Sequence, residues 1–509
     1  MIGALPLTAA ARFGRGLGSI AFSQAVAAAH AIVLVPLFLR NWGPDLYGRW
    51  LSLTALIFYV TLLDFGGQNF IGNLLASSWS RRDEREFRQT LAQGLSLFAL
   101  LAAVGFAVLL AILALPSIHV VHRAVPVTPQ DRLVLLLMGS VFLLGIPQGI
   151  WVTVYRATGL LARGAVLGNL IRSVALVGYA LLLLGGAGLV TYAACNTATA
   201  VITALVGWWD VRRCVPASRV TGLGLAAARA ALAHLKGSAY FWLLAVAAAV
   251  NQQAVIVVLA LSGSRTAVTL YATHRTASGL IGYIGNLVNY PLWPELTFLH
   301  AQGRKEMLRR TAMLAVKIVG FSGAAAAVAL AALLPWIYPL WTGRKLSFDP
   351  ALLALFLLQA VLASGWMTSG WTLLASNQHR RLARWSLVNA LINVSGCLLL
   401  ARLYGVWGAA TAALFADILC GVAVYPRLAC RQLGVSASEM YRAVLAPLII
   451  VLPVAAFPLL AQWHGSPRAR LLTLGLVEVA LLYLVARLTL GSKEDVRWLA
   501  GKVREMRKA

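Results

Sequence analysis

The chain has 509 residues, of which 60% are hydrophobic and 12% are charged, and its mean hydropathy is +0.80. Soluble domains carry about 25% charged residues, so this composition excludes a soluble globular protein. Apolar runs of about eighteen residues or more recur along the whole length, and in lipid a helix satisfies its own backbone groups. The predicted fold class is therefore an all-α polytopic membrane protein.

The net charge of +27 reflects 43 Lys and Arg residues against 16 Asp and Glu residues. In a soluble protein such an excess favours nucleic acid as a partner. In a membrane protein it indicates a basic cytoplasmic face against anionic lipid headgroups, so we expect anionic membrane lipids and no nucleic acid among the partners. The five cysteines lack metal-ligand spacing, and the sequence therefore predicts no disulfide, metal site or cofactor.

Fourteen apolar segments are predicted in chain order. They span residues 17–39, 50–74, 93–115, 133–155, 164–185, 188–209, 238–262, 266–292, 312–336, 351–375, 385–401, 405–425, 443–462 and 470–489. With the N-terminus inside, the cytoplasmic ends and loops hold 29 basic residues and the opposite side holds 10. Both termini are therefore predicted to be cytoplasmic.

A tight polar turn joins the first two segments. Gly43-Pro44 interrupts the helix there, because proline lacks a backbone donor and clashes with the preceding turn. Trp42 and Trp50 flank the turn, and Asp64 follows inside the second predicted helix. An acid at membrane depth is the first functional indication in the sequence.

An internal duplication relates the two halves of the chain. Tyr47 begins the second helix and Tyr271 lies early in the eighth, 224 residues later, and a basic stretch follows each helix at a similar distance. Such repeats in transporters place the substrate site near the membrane midplane. The predicted domains are a six-helix lobe (1–214), a cytoplasmic linker (215–237), a second six-helix lobe (238–432), a trailing helix pair (433–490) and a basic amphipathic cytoplasmic tail (491–509).

Four cations fall inside predicted segments: Arg172, Arg275, Lys317 and Arg487. A charge near the centre of a membrane helix costs about 2.5–3.5 kcal/mol on insertion scales, so each is a functional candidate. Arg275, beside His274, lies deep in the eighth helix. For Arg172 and Lys317 the alternative is snorkelling to the cytoplasmic interface.

Three acids are embedded in the same way: Asp64, Asp417 and Glu478. A partly buried carboxylate can load and unload a proton, which predicts proton coupling. The alternative is structural pairing with a cation or hydroxyl of a neighbouring helix. Glu478 belongs to the last segment, outside the two lobes, and is the weakest candidate.

Polar amides also cluster in the apolar segments. Asn286 and Asn289 share a helix face at i,i+3 spacing, and Tyr290 follows them, which together favour a surface for a saccharide. Asn389 and Asn393 are spaced i,i+4 on the eleventh helix. The alternative for all of these amides is interhelical hydrogen bonding, which is common in membrane bundles.

One set of motifs extends over most of the chain: Pro36-Leu37-Phe38-Leu39-Arg40, Gly43, Tyr47-Gly48, Trp50 and Leu63-Asp64-Phe65-Gly66, echoed in the second lobe by Gly263, Tyr271 and Arg275. With these residues the chain resembles the polysaccharide-transport family of lipid-linked oligosaccharide flippases, the Wzx type. That family belongs to the multidrug/oligosaccharidyl-lipid/polysaccharide (MOP) exporter superfamily.

The resemblance implies two six-helix bundles around a hydrated cationic cavity in the inner membrane of a bacterium. It implies transfer of a polyprenyl-pyrophosphate-linked oligosaccharide from the cytoplasmic to the outer leaflet, driven by an ion gradient, in O-antigen or exopolysaccharide synthesis. Polysaccharide polymerase and chain-length proteins are the partners it suggests.

Residue roles follow from this resemblance. Arginine and lysine hold phosphate by charge-assisted hydrogen bonds, which makes Arg275, Arg172 and Lys317 the pyrophosphate candidates. The ion-coupling candidates are Asp64, Asp417, Asn389 and Asn393. Many relatives carry an acid near the start of the seventh helix, whereas this chain reads Asn251-Gln252-Gln253, which leaves open whether protons or sodium drive transport.

Two other functions compete with the flippase. A membrane-embedded glycan polymerase or ligase typically has a large external catalytic loop, and the longest external stretch here, 116–132, offers His119, His122 and Arg123. A multidrug exporter of the same superfamily favours acids and aromatics in its cavity, against the basic residues of this chain.

Overall fold

A computed structural model of the chain describes residues 9–114, 128–262 and 264–449. Within these ranges the chain is helical and has no β-strand. We number the α-helices in chain order as α1 (Ala9–Phe58), α2 (Gly67–Ser80), α3 (Glu84–Ala114), α4 (Pro129–Ala157), α5 (Leu161–Leu184), α6 (Leu189–Cys214), α7 (Leu225–Leu261), α8 (Arg265–Ala301), α9 (Lys305–Trp341), α10 (Pro350–Ala375), α11 (His379–Ala416), α12 (Ala423–Leu433) and α13 (Ala437–Leu445). Short 3-10 helices lie at Tyr59–Asp64 and Pro216–Ser218, and a π-helix lies at Asp417–Val422.

Nine helical stretches among these described residues are long and apolar enough to cross a membrane. The predicted all-α polytopic membrane fold is therefore confirmed. The stretches Gly18–Ser80 and His379–Leu433 contain 63 and 55 residues, whereas about 20 suffice for one crossing. Each is broken at a glycine with a positive φ, Gly43 and Gly405, so each is long enough for two crossings.

Several predictions concern residues outside the described ranges. The predicted count of fourteen segments stays a prediction, because segment 470–489 and most of segment 443–462 lie outside the described residues. The same holds for the tail 491–509, and for the side chains Glu478, His119, His122 and Arg123 and the residue Gly263.

The turn predicted at Gly43-Pro44 is confirmed. Gly43 has a φ of 72°, which glycine adopts without the steric cost that a Cβ brings. The side chains of Asn41 and Trp42 each donate a hydrogen bond of 2.8 Å to the carbonyl of Ala187, in the turn between α5 and α6. These bonds fix the break in α1 to the start of α6.

Packing divides the chain into two compact units. The N-unit is Val33–Leu270, and the C-unit combines Met1–Ile32 with Tyr271–Ala509. The predicted lobe boundaries stay predictions.

Each unit has its own apolar core. In the N-unit, Gly94 of α3 lies against the buried side chains of Ile71 in α2 and Ile150 in α4. In the C-unit, Ile281 of α8 and Leu357 of α10 belong to a buried cluster that α9 also supplies. The small residue Gly94 allows three helices to approach closely, as is usual in membrane bundles.

Candidate functional site

The helix that carries Asp64 is broken in the N-unit. Tyr59–Asp64 forms a 3-10 turn, and Phe65 and Gly66 adopt left-handed conformations with φ of 49° and 68°. The prediction that Asp64 lies inside a continuous second helix is therefore wrong. One cause is local, because Oδ1 of Asp64 accepts a 2.9 Å hydrogen bond from the Gly66 N–H, a turn that Asp and Gly both favour.

Helix α7 holds this break in place. The indole N–H of Trp242 donates to the carbonyl of Leu62 at 2.9 Å, and the Ser238 hydroxyl donates to the carbonyl of Phe65 at 2.6 Å. Carbonyls freed by a helix break must find other donors when no water is near. The two side chains of α7 supply those donors.

A cavity of about 430 Å³ opens beside the break. Its polar lining comes from Asp64, Gln68, Gln252 and Thr61, and apolar residues of α4 and α7 complete it. Asp64 forms no ion pair with any described residue. A carboxylate in this position is suited to take up a proton or a small cation from the cavity.

A second carboxylate lies in the C-unit. Asp417 begins the π-helix, and its Oδ2 accepts a 2.9 Å hydrogen bond from Nε2 of Gln359 in α10, while its Oδ1 accepts one of 3.3 Å from Nδ2 of Asn389 in α11. Asn393 is buried one turn further along α11. The structure thus brings Asp417 and Asn389 into contact, and the ion-binding role of these residues stays a prediction.

The orientation of these amides matters for ion binding. Both Gln359 and Asn389 direct their NH₂ groups, not their oxygens, at Asp417. A cation bound to Asp417 together with these amide oxygens requires both amides to rotate, since a cation needs oxygen ligands. In the conformation described, the carboxylate is instead stabilised by two neutral donors.

Arg275 follows a residue that anchors α8 in the C-unit. His274 is fully buried, with Nδ1 3.2 Å from the Tyr338 hydroxyl and Nε2 accepting a 3.2 Å hydrogen bond from the Asp349 N–H. Consecutive helical residues point about 100° apart, so the half-buried Arg275 lies off this anchored face. Helix α8 is not among the nine apolar stretches, so the predicted apolar segment at 266–292 is not confirmed as one of them.

By helical spacing, Arg172 lies on the side of α5 that carries the buried Asn169 and Tyr179. Val174 and Leu181, which are 73% and 64% exposed, lie on the opposite side. Arg172 itself is exposed. An exposed cation opposite an apolar face suits polar surroundings more than lipid.

Lys317 is half-buried in α9. It is the thirteenth residue of that helix, which places it about 18 Å along the axis from Lys305 at a rise of 1.5 Å per residue. Buried apolar residues precede and follow it, including Val316 and Val319.

The predicted glycan-binding residues occupy different environments on α8. Asn289 is fully buried, and its Oδ1 accepts a 3.0 Å hydrogen bond from the Thr368 hydroxyl of α10. This contact is the interhelical hydrogen bond that the alternative interpretation expects. Asn286 is half-buried, and Tyr290 is exposed, with its ring 5.3 Å from that of Trp371.

Other buried charges of the N-unit are paired across helix ends. Nε of Arg49 donates to Asp131 at 2.7 Å, at the start of α4. Arg163 binds Asp210 with two hydrogen bonds of 2.7 and 3.0 Å, and the hydroxyl of Tyr155 donates to the same carboxylate at 2.6 Å. Bidentate pairs of this kind fix helix ends relative to one another.

Solved structures of membrane transporters are similar to this chain, although no family profile or curated protein matches it. Among solved structures, the lipid II flippase MurJ in an inward closed conformation matches with a TM-score of 0.67 at 13% identity, over 92% of this chain and 96% of that one. An inward-facing multidrug-resistance MATE family transporter of the MOP superfamily matches with a TM-score of 0.61 at 15% identity, over 81% of this chain and 94% of that one. An outward-facing transporter of that family matches with a TM-score of 0.57 at 13% identity, over 84% of this chain and 96% of that one.

The chain shares the fold of these three solved structures. At these identities the likeness shows the fold alone. The sequence did not indicate one polar residue of the candidate sites, Gln359, which donates to Asp417. It is an amide in an apolar helix, a signal that many structural residues share, and its spacing from Asp417 in sequence gives no indication of contact.

Proposed function

We propose that the protein is a flippase that moves a polyprenyl-pyrophosphate-linked oligosaccharide from the cytoplasmic to the outer leaflet by ion-coupled alternating access. The observation that carries the proposal is the match over 92% of the chain to a lipid II flippase, together with the cations Arg275, Arg172 and Lys317 at membrane depth. A pyrophosphate and its sugars do not cross hydrocarbon unaided, and such cations supply the charge-assisted hydrogen bonds that hold phosphate.

The proposed roles follow the chemistry of each side chain. Arg275, Arg172 and Lys317 bind the pyrophosphate, and Asn286 and Tyr290 contact the glycan, whereas Asn289 takes an interhelical role. Asp64 and Asp417, with Asn389 and Asn393 beside the latter, couple transport to an ion gradient.

The cellular setting is part of the same proposal. The protein lies in the inner membrane of a bacterium with both termini in the cytoplasm, as the basic loops favour. It contacts anionic lipids there and serves O-antigen or exopolysaccharide synthesis beside polymerase and chain-length proteins.

A multidrug exporter is the second candidate, because two of the matching structures are multidrug-resistance MATE transporters. The Asp64 carboxylate suits a cationic drug. The cations of α5, α8 and α9 favour an anionic substrate instead, so the flippase is the preferred function.

Reconstitution tests the proposal. Purified protein in liposomes with a fluorescent polyprenyl-pyrophosphate oligosaccharide should make the lipid accessible to an external quencher, and Arg275→Gln should abolish this. Arg310→Gln is the matched control, since Arg310 is exposed and paired with Glu306. No equilibration under an imposed proton or sodium gradient would refute the flippase, and uptake of a cationic dye by the same liposomes would favour the exporter.

A further inference from the structure

One guanidinium of the N-unit has no partner among the described residues. Arg156 lies in the last turn of α4, and its Nη2 atom is buried without a hydrogen-bond partner. No hydrogen bond or ion pair joins its side chain to any other described residue. A charged donor that is buried without a partner loses its hydration without compensation, so this half-buried side chain calls for an anion from outside the chain.

Three acids of the N-unit pair with other cations. Asp210 is bound by Arg163, Glu84 pairs with Arg88, and Glu86 pairs with Arg81. A fourth acid, Asp83, accepts a hydrogen bond from the backbone N–H of Glu86. None of these four carboxylates pairs with Arg156.

The space around Arg156 is built for its guanidinium. Gly72 of α2 lies directly against Nη2, and a Cβ on Gly72 would overlap that atom. The adjoining wall is the Thr153 side chain. Glycine at this position lets Nη2 pack between α2 and α4, and the Arg156 side chain as a whole is half-buried.

Arg156 also lies in line with the cavity beside Asp64. Gly145, which lines that cavity, is eleven residues earlier on α4, close to three full turns, so the two residues share a helix face about 16 Å apart. On α2, Gln68 of the cavity and Gly72 against Arg156 are spaced i,i+4. One continuous face of α2 and α4 therefore leads from the cavity to Arg156.

We propose that Arg156 and the Gly72 notch form a phosphate-binding site at the cytoplasmic end of this face. Its ligand is a phosphate ester or pyrophosphate, because a guanidinium with accessible donors pairs best with planar or tetrahedral oxyanions. The carrier is either an isoprenyl pyrophosphate or a phospholipid headgroup, and only the first of these rests on the proposed function.

Binding to the full-length protein in detergent tests the site, with inorganic pyrophosphate, geranylgeranyl pyrophosphate and phosphatidylglycerol as probes. Arg156→Gln should weaken pyrophosphate binding at least about tenfold, the effect expected for one charge-assisted contact, and Arg156→Lys should keep part of it. Arg88→Gln, an exposed cation on the same side, should leave binding unchanged. Without ligand, Arg156→Gln should unfold at the same temperature as the wild type or higher, because it removes an unpaired buried charge.

The outcomes separate the alternatives. Loss of geranylgeranyl pyrophosphate binding with phosphatidylglycerol binding intact identifies an isoprenyl pyrophosphate site, and the opposite pattern identifies a lipid headgroup site. Wild-type affinity of Arg156→Gln for all three probes would overturn the proposal. If Arg156→Gln does not fold, Gly72→Ala, which displaces the guanidinium and keeps its charge, carries the same test.

The flippase function and the phosphate site at Arg156 can be refuted separately. Pyrophosphate binding through Arg156 in a protein that moves no oligosaccharide lipid would overturn the flippase and leave this site standing. Transport by the wild type, together with unchanged pyrophosphate binding in Arg156→Gln, would support the flippase and overturn the Arg156 site.

Discussion

The indole N–H of Trp242 lies 2.9 Å from the carbonyl of Leu62, a residue 180 positions earlier in the chain. This bond, with that from Ser238 to Phe65, satisfies backbone groups that the helix break leaves open. The break beside Asp64 is therefore a feature built jointly by two distant segments of the N-unit. It exposes a carboxylate to a cavity without leaving unsatisfied backbone in the membrane.

Gly66→Ala should destabilise the protein. A Cβ at position 66 would lie 2.6 Å from the backbone nitrogen of Trp242. The alanine would also have to adopt a φ of 68°, and a strained left-handed residue alone costs about 1–3 kcal/mol. Gly186→Ala is the matched control, because Gly186 has a φ of 81° with open space around it. We expect thermal unfolding in detergent to show a larger drop for Gly66→Ala, and equal drops would mean that α7 does not clamp the break.

The fold class and the first turn follow from local chemistry. Long apolar runs predict the helices, and Gly43-Pro44 by itself predicts the turn, because both residues interrupt a helix. The break at Asp64 escaped prediction because the apolar run 50–74 continues through it, and its donors come from α7. A pattern of hydrophobicity along one segment contains no information about a hydrogen bond from another.

For the candidate sites too, the sequence indicates some residues and only the packing of the helices reveals others. Embedded charges such as Arg275 and Asp417 stand out by their cost in lipid. Gln359, which donates to Asp417, and the absence of any described partner for Arg156 emerge only when helices distant in sequence pack together. Asn289 shows the converse, since its spacing from Asn286 suggested a shared surface, whereas its side chain is directed at Thr368 in α10.

Asp64→Asn should uncouple transport while preserving the fold. The amide keeps the shape of the side chain and removes the charge, its NH₂ group can face the cavity, and the hydrogen bond that Asp64 accepts from Gly66 is available to the amide oxygen as well. We expect the same unfolding temperature within a few degrees and loss of gradient-driven accumulation in liposomes. Asp45→Asn, at an exposed acid paired with Arg265, is the control, and gradient-driven accumulation by Asp64→Asn would remove Asp64 from ion coupling.

Asp417→Asn should behave differently and lower stability. The carboxylate accepts hydrogen bonds from two amides, and an asparagine there offers one acceptor atom and adds a donor that faces one of them. Leaving a buried donor unsatisfied costs about 1–3 kcal/mol, so the unfolding temperature should fall further than for Asp64→Asn. Restoration of stability by Gln359→Glu in the same protein would support the contact, and a stable Asp417→Asn would argue against it.

His274→Phe should destabilise the C-unit more than Tyr338→Phe. Because Nε2 of His274 accepts from the Asp349 N–H, the proton resides on Nδ1 and is donated to the Tyr338 hydroxyl, as the two nitrogens of a neutral imidazole require. Phenylalanine at 274 keeps the ring contact with Tyr338 but leaves the Asp349 N–H, at the start of α10, without its acceptor, at a cost of about 1–3 kcal/mol. Tyr338→Phe removes the hydroxyl that contacts His274 and Thr273, but the backbone N–H of Asp349 keeps its acceptor on His274. Thermal unfolding of both variants in one detergent gives the comparison, and a larger loss for Tyr338→Phe would show that the hydroxyl, rather than the imidazole, anchors α8 beside Arg275.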